Sequence, residues 1–270
     1  MDKHDSASTG EPMGIRHIPA RVYAADAVCD AYGEEEKGGE TLQILIACEE
    51  SQAVCKEMRR LGHECYSCDI QECSGGHPEW HIMADVIPLL NGRCSFTTMD
   101  GAGHTIQGRW DMIIAHPPCT KTSNAGARHL YKGGELNLSR YYEGLCGKAL
   151  FMTIWAADCD RVIIENPTPS KVFEFPEPSQ SVQPHEYYGK NHPYTKKTLL
   201  WERGVESLVP VEPVEPIATW CPSGGNSHKH SDKYRGMFTK DRAKNRSKTF
   251  PGIARAMAEQ WAGKAKEEKR

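Results

Sequence analysis

The chain has 270 residues, a mass of 30.2 kDa and a formal net charge of -3, enough for one full α/β domain with an appended element. Mean hydropathy is -0.60, and no apolar run approaches the roughly 20 residues that span a bilayer. The start, Met1 to Asp5, lacks the basic and apolar regions of a signal peptide, so the expectation is a cytoplasmic monomer with no membrane contact and with its 11 cysteines reduced.

Residues 1–40 are acidic, with Glu34-Glu35-Glu36 near their end and no sustained periodicity, and read as a flexible arm. Residues 41–205 read as the catalytic-type domain. Leu42 to Cys48 is a near-continuous apolar run, as expected of a parallel strand buried on both faces. Glu49 to Gln52 opens a helix whose Ala53, Val54, Met58 and Leu61 fall at helical spacing, stopped by Gly62. Glu64 to Asp69 is a second strand ending in an acid, which completes a βαβ unit with a carboxylate about 20 residues beyond the first turn. A third strand, His81 to Val86, carries Asp85, and Asn91 to Gly108 reads as a loop or two short strands.

Trp110 to Ala115 is the next strand, and His116-Pro117-Pro118 ends it, because proline removes a ladder donor and restricts its predecessor. Cys119 then lies on a loop at the carboxyl end of that strand. A buried structural thiol is the plain alternative there. Thr120 to Asn137 reads as a long loop over the site. Leu138 to Asp158 is helical, with Tyr142, Leu145, Ala149, Met152 and Trp155 on one side, and Arg161 to Asn166 is a fifth strand ended by Pro167. Each strand thus delivers Glu49, Asp69, Asp85, Cys119 or Glu165 to one edge, where ligands bind in open α/β sheets.

From Pro167 to Pro193 prolines recur too often for regular structure, and Lys196 to Trp201 is a basic turn feeding a strand. Residues 206–246 form a small basic insert. The Lys229 to Arg246 stretch reads as a phosphate-facing surface or, equally, a solvated loop. In 247–270, Pro251 precedes a helix from Ile253 to about Lys266 with an apolar stripe of Ile253, Ala254, Met257, Ala258 and Trp261. Cys65, Cys68 and Cys73, and Cys221 with His228 and His230, have spacings that could hold zinc, but neither group forms a paired Cys-x-x-Cys signature and no metal site is assigned.

In this order the motifs resemble the DNA (cytosine-5) methyltransferases over roughly Leu42 to Ala262. Asp111 to Gly126, a strand followed by Pro-Pro-Cys and then Ser123, Ala125 and Gly126, is similar to that family's nucleophile loop. Glu165-Asn166 looks like its Glu-Asn-Val element, with Pro167 where valine is usual. Tyr188-Gly189 and Lys196 to Trp201 resemble its Gln-x-Arg-x-Arg region with lysines for arginines. The family's Phe-x-Gly-x-Gly cofactor turn has no glycine here, since the equivalent stretch is Ala47 to Gln52.

The resemblance implies a Rossmann-like S-adenosylmethionine-dependent fold with a mostly parallel sheet, a small recognition element, and DNA as partner. Cys119 would add to carbon 6 of cytosine, Glu165 would bond ring nitrogen 3 and the exocyclic amine, and Lys196 or Lys197 would hold the pyrimidine carbonyl or a phosphate. S-adenosylmethionine would meet Cys48, Glu49, Glu50 and Ser51 in the first turn, Asp69 and Ile70 after the second strand, then Asp85, Pro117 and Arg246. Ser123, Arg128, Arg235, Lys240, Arg242 and Lys244 would contact nucleic acid. A pyrimidine nucleotide modifying enzyme with the same covalent chemistry, and an inactive nucleic-acid-binding relative, are the alternatives.

Overall fold

A computed structural model describes residues 39–220, the backbone of 234–235, and residues 247–266. The expectations for the N-terminal arm, for Cys221, His228 and His230, and for Lys240, Arg242, Lys244 and Arg246 lie outside the described residues.

Burial on both faces explains the apolar runs. The strands β1 (Gln43–Ala47), β2 (Glu64–Asp69), β3 (His81–Met83), β6 (Met112–Ala115) and β9 (Val162–Asn166) form the parallel body of a seven-stranded sheet. Between β3 and β6 the chain makes an antiparallel hairpin of β4 (Cys94–Thr97) and β5 (Gly103–Ile106), the pair of short strands foreseen as one option. Side chains alternate across the sheet. Ile44, Ile46, Met112, Ile114 and Ile163 pack on one side with helices α1 (Ala53–Arg60) and α3 (Pro251–Met257). Leu45, Ala47, Ile113, Ala115, Val162 and Ile164 pack on the other with α2 (Leu138–Trp155).

The order across the sheet is β10-β12-β9-β6-β1-β2-β3, with β12 (Thr198–Arg203) antiparallel to β9 and β10 (Gln180–Val182) antiparallel to β12. The proline-rich stretch from Pro167 to Pro193 therefore does contain regular structure. β10 is short and lies at the sheet edge, the place where proline-flanked segments are tolerated. A separate three-stranded parallel sheet joins β11 (Tyr194–Thr195), β13 (Ala218–Trp220) and β14 (Tyr234–Arg235), so the region after β12 pairs with residues ahead of it.

Three sequence expectations need correcting. The third strand stops at Met83, not Val86, because Asp85 Oδ1 accepts the Ile87 amide at 3.0 Å and Ile87 to Leu89 turns into a 3-10 helix. The stretch Thr120 to Asn137 is not an open loop: it holds a 3-10 helix over Asn124–His129 and the hairpin of β7 (Tyr131–Lys132) and β8 (Glu135–Leu136). The α2 stripe faces the wrong way, since Tyr142, Leu145 and Met152 are exposed while Gly144, Phe151 and Ile154 are buried.

The closing helix buries its expected stripe in full but stops at Ala262, short of the expected Lys266. Ile253, Ala254, Met257, Ala258 and Trp261 are all buried, although the helix becomes a π turn over Ala258–Ala262 and ends at Gly263 with φ 68°. No helix among the described residues is long and apolar enough to cross a membrane.

Candidate active site

The parallel ladder carries one residue beyond β6, where the His116 amide donates to the Ala47 carbonyl at 2.9 Å. That bond fixes His116 between the turn after β1 and the end of β9, whose Ile164 pairs with Ala115. Pro117 is buried and Pro118 exposed, and the chain then folds into a tight turn. The Cys119 carbonyl accepts from the amides of Thr122 at 3.2 Å and Ser123 at 2.8 Å, which leaves the Cys119 residue half-buried at the carboxyl edge. The turn is stitched to the segment after β9 by Asn124 N to Thr168 O at 2.8 Å and Ser170 N to Thr122 O at 2.7 Å. Cys119 and Glu165 are thus held on neighbouring strand ends by backbone bonds.

Glu165 is the centre of a buried polar cluster. Its Oε2 accepts from His116 Nδ1 at 2.8 Å and from the Thr249 hydroxyl at 2.8 Å. Both side chains of the His116 and Glu165 pair are about nine-tenths buried. Burial alone would raise the Glu165 carboxyl. The His116 hydrogen bond and charge, then Lys196 and the Thr249 hydroxyl, outweigh it and bring the group down to about 2. For His116 burial pulls downward, and Glu165 followed by Glu49 pulls the imidazole above its ordinary value, against Lys196. Both shifts run in the direction that favours imidazolium on carboxylate.

Glu49 acts on His116 electrostatically, and its own hydrogen bonds go to α1. Its two oxygens accept the Val54 amide at 2.7 Å and the Cys55 amide at 3.2 Å, so it satisfies donors of the first turn of α1. Its carboxyl is raised by burial, with His116, those amides and Lys56 partly offsetting. Lys196 reaches the cluster electrostatically, donates to the Lys248 carbonyl at 3.3 Å and lies 5.5 Å from the centre of the Phe250 ring. Lys197 is exposed, whereas Lys196 is half-buried and acts on Glu165.

The turn without glycine is built from residues that tolerate strain. Cys48 has φ 58° and Gln52 φ 55°, both left-handed, the conformation for which glycine is the default. Gln52 is fully buried and tied down: Nε2 donates to the His77 carbonyl at 2.8 Å and Oε1 accepts the His77 amide at 3.1 Å. Ser51 is half-buried beside it. Burial, then Asp69 and Asp85, push the Cys48 thiol up to about 12, which shows that these three groups share one neighbourhood. Asp69 also accepts the Gln71 amide at 2.9 Å, and Ile70 is 78% exposed between the two carboxylates in sequence.

Two expected nucleic-acid contacts separate here. Ser123 is buried and bridges to Pro169, so it belongs to the scaffold under the Cys119 turn and not to a contact surface. Arg128 is exposed, with Nε donating to His129 Nε2 at 3.0 Å. For Arg235 only the backbone in β14 is described. Cys65 and Cys68, three apart on β2, point to opposite faces of the sheet, which removes them as common metal ligands. Among the described residues no group of three or more His, Cys, Asp or Glu side chains could hold a metal ion.

Sequence reasoning missed His116 and Thr249. His116 sits directly before Pro117, and Thr249 directly before the Phe250-Pro251-Gly252 helix start, so each was inside a noted motif without a role. Three buried side-chain atoms at this edge lack a hydrogen-bond partner: Glu50 Oε2, His116 Nε2 and Asn166 Oδ1. Unmet buried polar atoms are costly, and these three belong to residues at or just beyond the carboxyl ends of β1, β6 and β9. No protein-family model matches the chain, and no curated protein matches it.

Proposed function

We propose that the protein is an S-adenosylmethionine-dependent DNA (cytosine-5) methyltransferase. The observation that carries this reading is the placement of the Cys119 turn and Glu165 on adjacent strand ends, with unpartnered buried atoms on Glu50, His116 and Asn166.

The residues present fit the cofactor. Glu50 has an unpartnered buried carboxylate oxygen suited to an ammonium group, Asp69 suits ribose hydroxyls, Asp85 suits the adenine amine, and exposed Ile70 offers an apolar face to the base. When bound, S-adenosylmethionine supplies an electrophilic methyl group.

The chain's own residues supply the activation. Carbon 5 of cytosine is a poor nucleophile until the Cys119 thiolate forms a bond to carbon 6, which turns the ring into an enamine. Glu165 accepts from the exocyclic amine and lies beside ring nitrogen 3, where charge collects as the thiolate adds. Lys196, held near Glu165, serves the pyrimidine carbonyl. The thiolate leaves again when carbon 5 loses its hydrogen.

A target in duplex DNA has to be flipped out at a cost of a few kcal/mol. Tyr194, Trp220 and Phe250 form an aromatic group, with ring centres 5.1 and 5.6 Å apart, next to Thr249, and they join the small three-stranded sheet to the site. The protein acts as a monomer in this reading.

The test is incubation with labelled S-adenosylmethionine and duplex DNA, single-stranded DNA or deoxycytidine nucleotides, followed by nucleoside analysis. Label should appear in 5-methylcytosine from DNA. With 5-fluorocytosine DNA a covalent complex should form, and Cys119→Ser should abolish it. Trapping that survives this substitution sinks the covalent role, and label on the nucleotide alone shifts the reading to a nucleotide-modifying enzyme.

A further inference from the structure

We propose that His116 is the proton reservoir of this site, lending its Nδ1 proton through Glu165 to ring nitrogen 3 of the cytosine as Cys119 adds to carbon 6. The proposal rests on the cytosine-5 reading above and deepens it.

The argument starts from what Glu165 lacks. When a thiolate adds to carbon 6, the carbon 5–carbon 6 pair moves toward carbon 4 and the electrons of the carbon 4–nitrogen 3 bond collect on nitrogen 3. A proton there relieves that charge. Glu165, held ionised by two cations and a hydroxyl donor, has no proton of its own to give. The one acidic hydrogen in contact with it is on His116 Nδ1, at 2.8 Å from Oε2. His116 and Thr249 both meet Glu165 at Oε2, so a base edge that approaches the carboxylate at Oε1 leaves the His116 contact in place.

The surroundings of His116 suit a proton that moves one way. Glu165 faces it from β9, Glu49 from the turn after β1, and Lys196 from ahead of β12, while the segment ahead of α3 supplies only the Thr249 hydroxyl, 3.4 Å from Nδ1. The other ring nitrogen, Nε2, is buried without a partner, so no described group takes the proton in competition with Glu165. Glu49 spends both its oxygens on α1 amides, so it is not a rival acceptor for the proton at hydrogen-bond range.

In the cycle, the Cys119 Sγ–carbon 6 bond forms, the His116 Nδ1 proton crosses to the Glu165 carboxylate and from it to nitrogen 3, and His116 is left neutral with Glu165 again ionised. Carbon 5 then takes a proton from solvent, nitrogen 3 returns its proton along the same path, and loss of the original carbon 5 hydrogen expels the thiolate. Without a methyl donor this sequence exchanges the carbon 5 hydrogen with water, and that exchange is the readout.

Release of tritium from oligonucleotides carrying cytosine labelled at carbon 5 is followed from pH 5 to 9 in wild type and His116→Asn, whose amide nitrogen replaces Nδ1 without a transferable proton. Wild type should show a bell, rising as Cys119 ionises and falling as His116 loses its proton. The variant should lose the alkaline limb and run about 100-fold slower at the wild-type optimum. An unchanged alkaline limb in the variant overturns the proposal and leaves the Cys119 reading standing. No release by wild type removes both. A second measurement needs no turnover: the carbon-13 signal of the His116 imidazole should titrate above the ordinary histidine range and drop in Glu165→Gln. A ring that stays neutral from pH 5 to 8 overturns the proposal by itself.

Discussion

Two left-handed residues in one turn carry opposite consequences for the same substitution. Cys48 and Gln52 both sit near φ 55–58°, a conformation that costs an L residue roughly 1–2 kcal/mol and glycine almost nothing. Cys48 has little to lose beyond a partly buried thiol, so Cys48→Gly should leave stability within about 1 kcal/mol of wild type. Gln52 instead holds three bonds, to His77 N, His77 O and Ser67 Oγ, and each is worth about 1 kcal/mol. Gln52→Gly should therefore lower stability by about 1–2 kcal/mol, read as a lower urea midpoint at unchanged slope. If both variants gain stability, backbone strain governs the turn and the Gln52 staple is worth nothing. The same close packing explains the absent glycine: Gly75 supplies the close approach from the other side, since a Cβ there would lie 2.5 Å from the Gln52 side chain.

At the scale of elements, α2 shows where a periodic reading fails. Its apolar residues do recur on one side, but Tyr142 and Leu145 are exposed because the helix packs through another face, that of Gly144, Phe151 and Ile154. A Cβ on Gly144 would sit 2.1 Å from the Phe173 ring. Gly144→Ala should cost about 1–3 kcal/mol by overpacking, and Phe173→Leu in the same chain should return part of it, so that the pair is less than additive in thermal unfolding. Additive losses would mean that the ring moves aside without cost. The parallel strands were legible because strands buried on both faces must be apolar throughout, and their polar ends stand out as Glu49, Asp69, Cys119 and Glu165. The α2 face was not legible, because its apolar residues fall on more than one side and Gly144, at its close contact, gives no hydrophobic signal for the surface it buries. Nor were His116 and Thr249, whose bonds to Glu165 join positions 49 and 84 residues apart and leave no local pattern.

Taken whole, the molecule closes its own site: α3 returns to the face of α1, and the residue just ahead of α3 completes the cluster around Glu165. The charge state of that cluster should then be visible in global stability. Glu165 is depressed on folding, so its contribution is present above the unfolded value of about 4.3 and is lost as pH falls through about 2. His116 is raised on folding, so its contribution is full below about 6.5 and is lost as pH rises through its higher folded value. Both are present together only between about pH 4.3 and 6.5. His116→Leu leaves Glu165 buried without its partner, a change that costs about 3–5 kcal/mol for a buried pair. The gap between wild type and this variant in denaturant unfolding should be widest between about pH 5 and 6.5 and shrink toward pH 9, as the wild-type imidazole itself becomes neutral. A gap that keeps widening above pH 7 would show that His116 is neutral in the folded protein, and the cluster would then hold Glu165 by hydrogen bonds and Lys196 without an imidazolium.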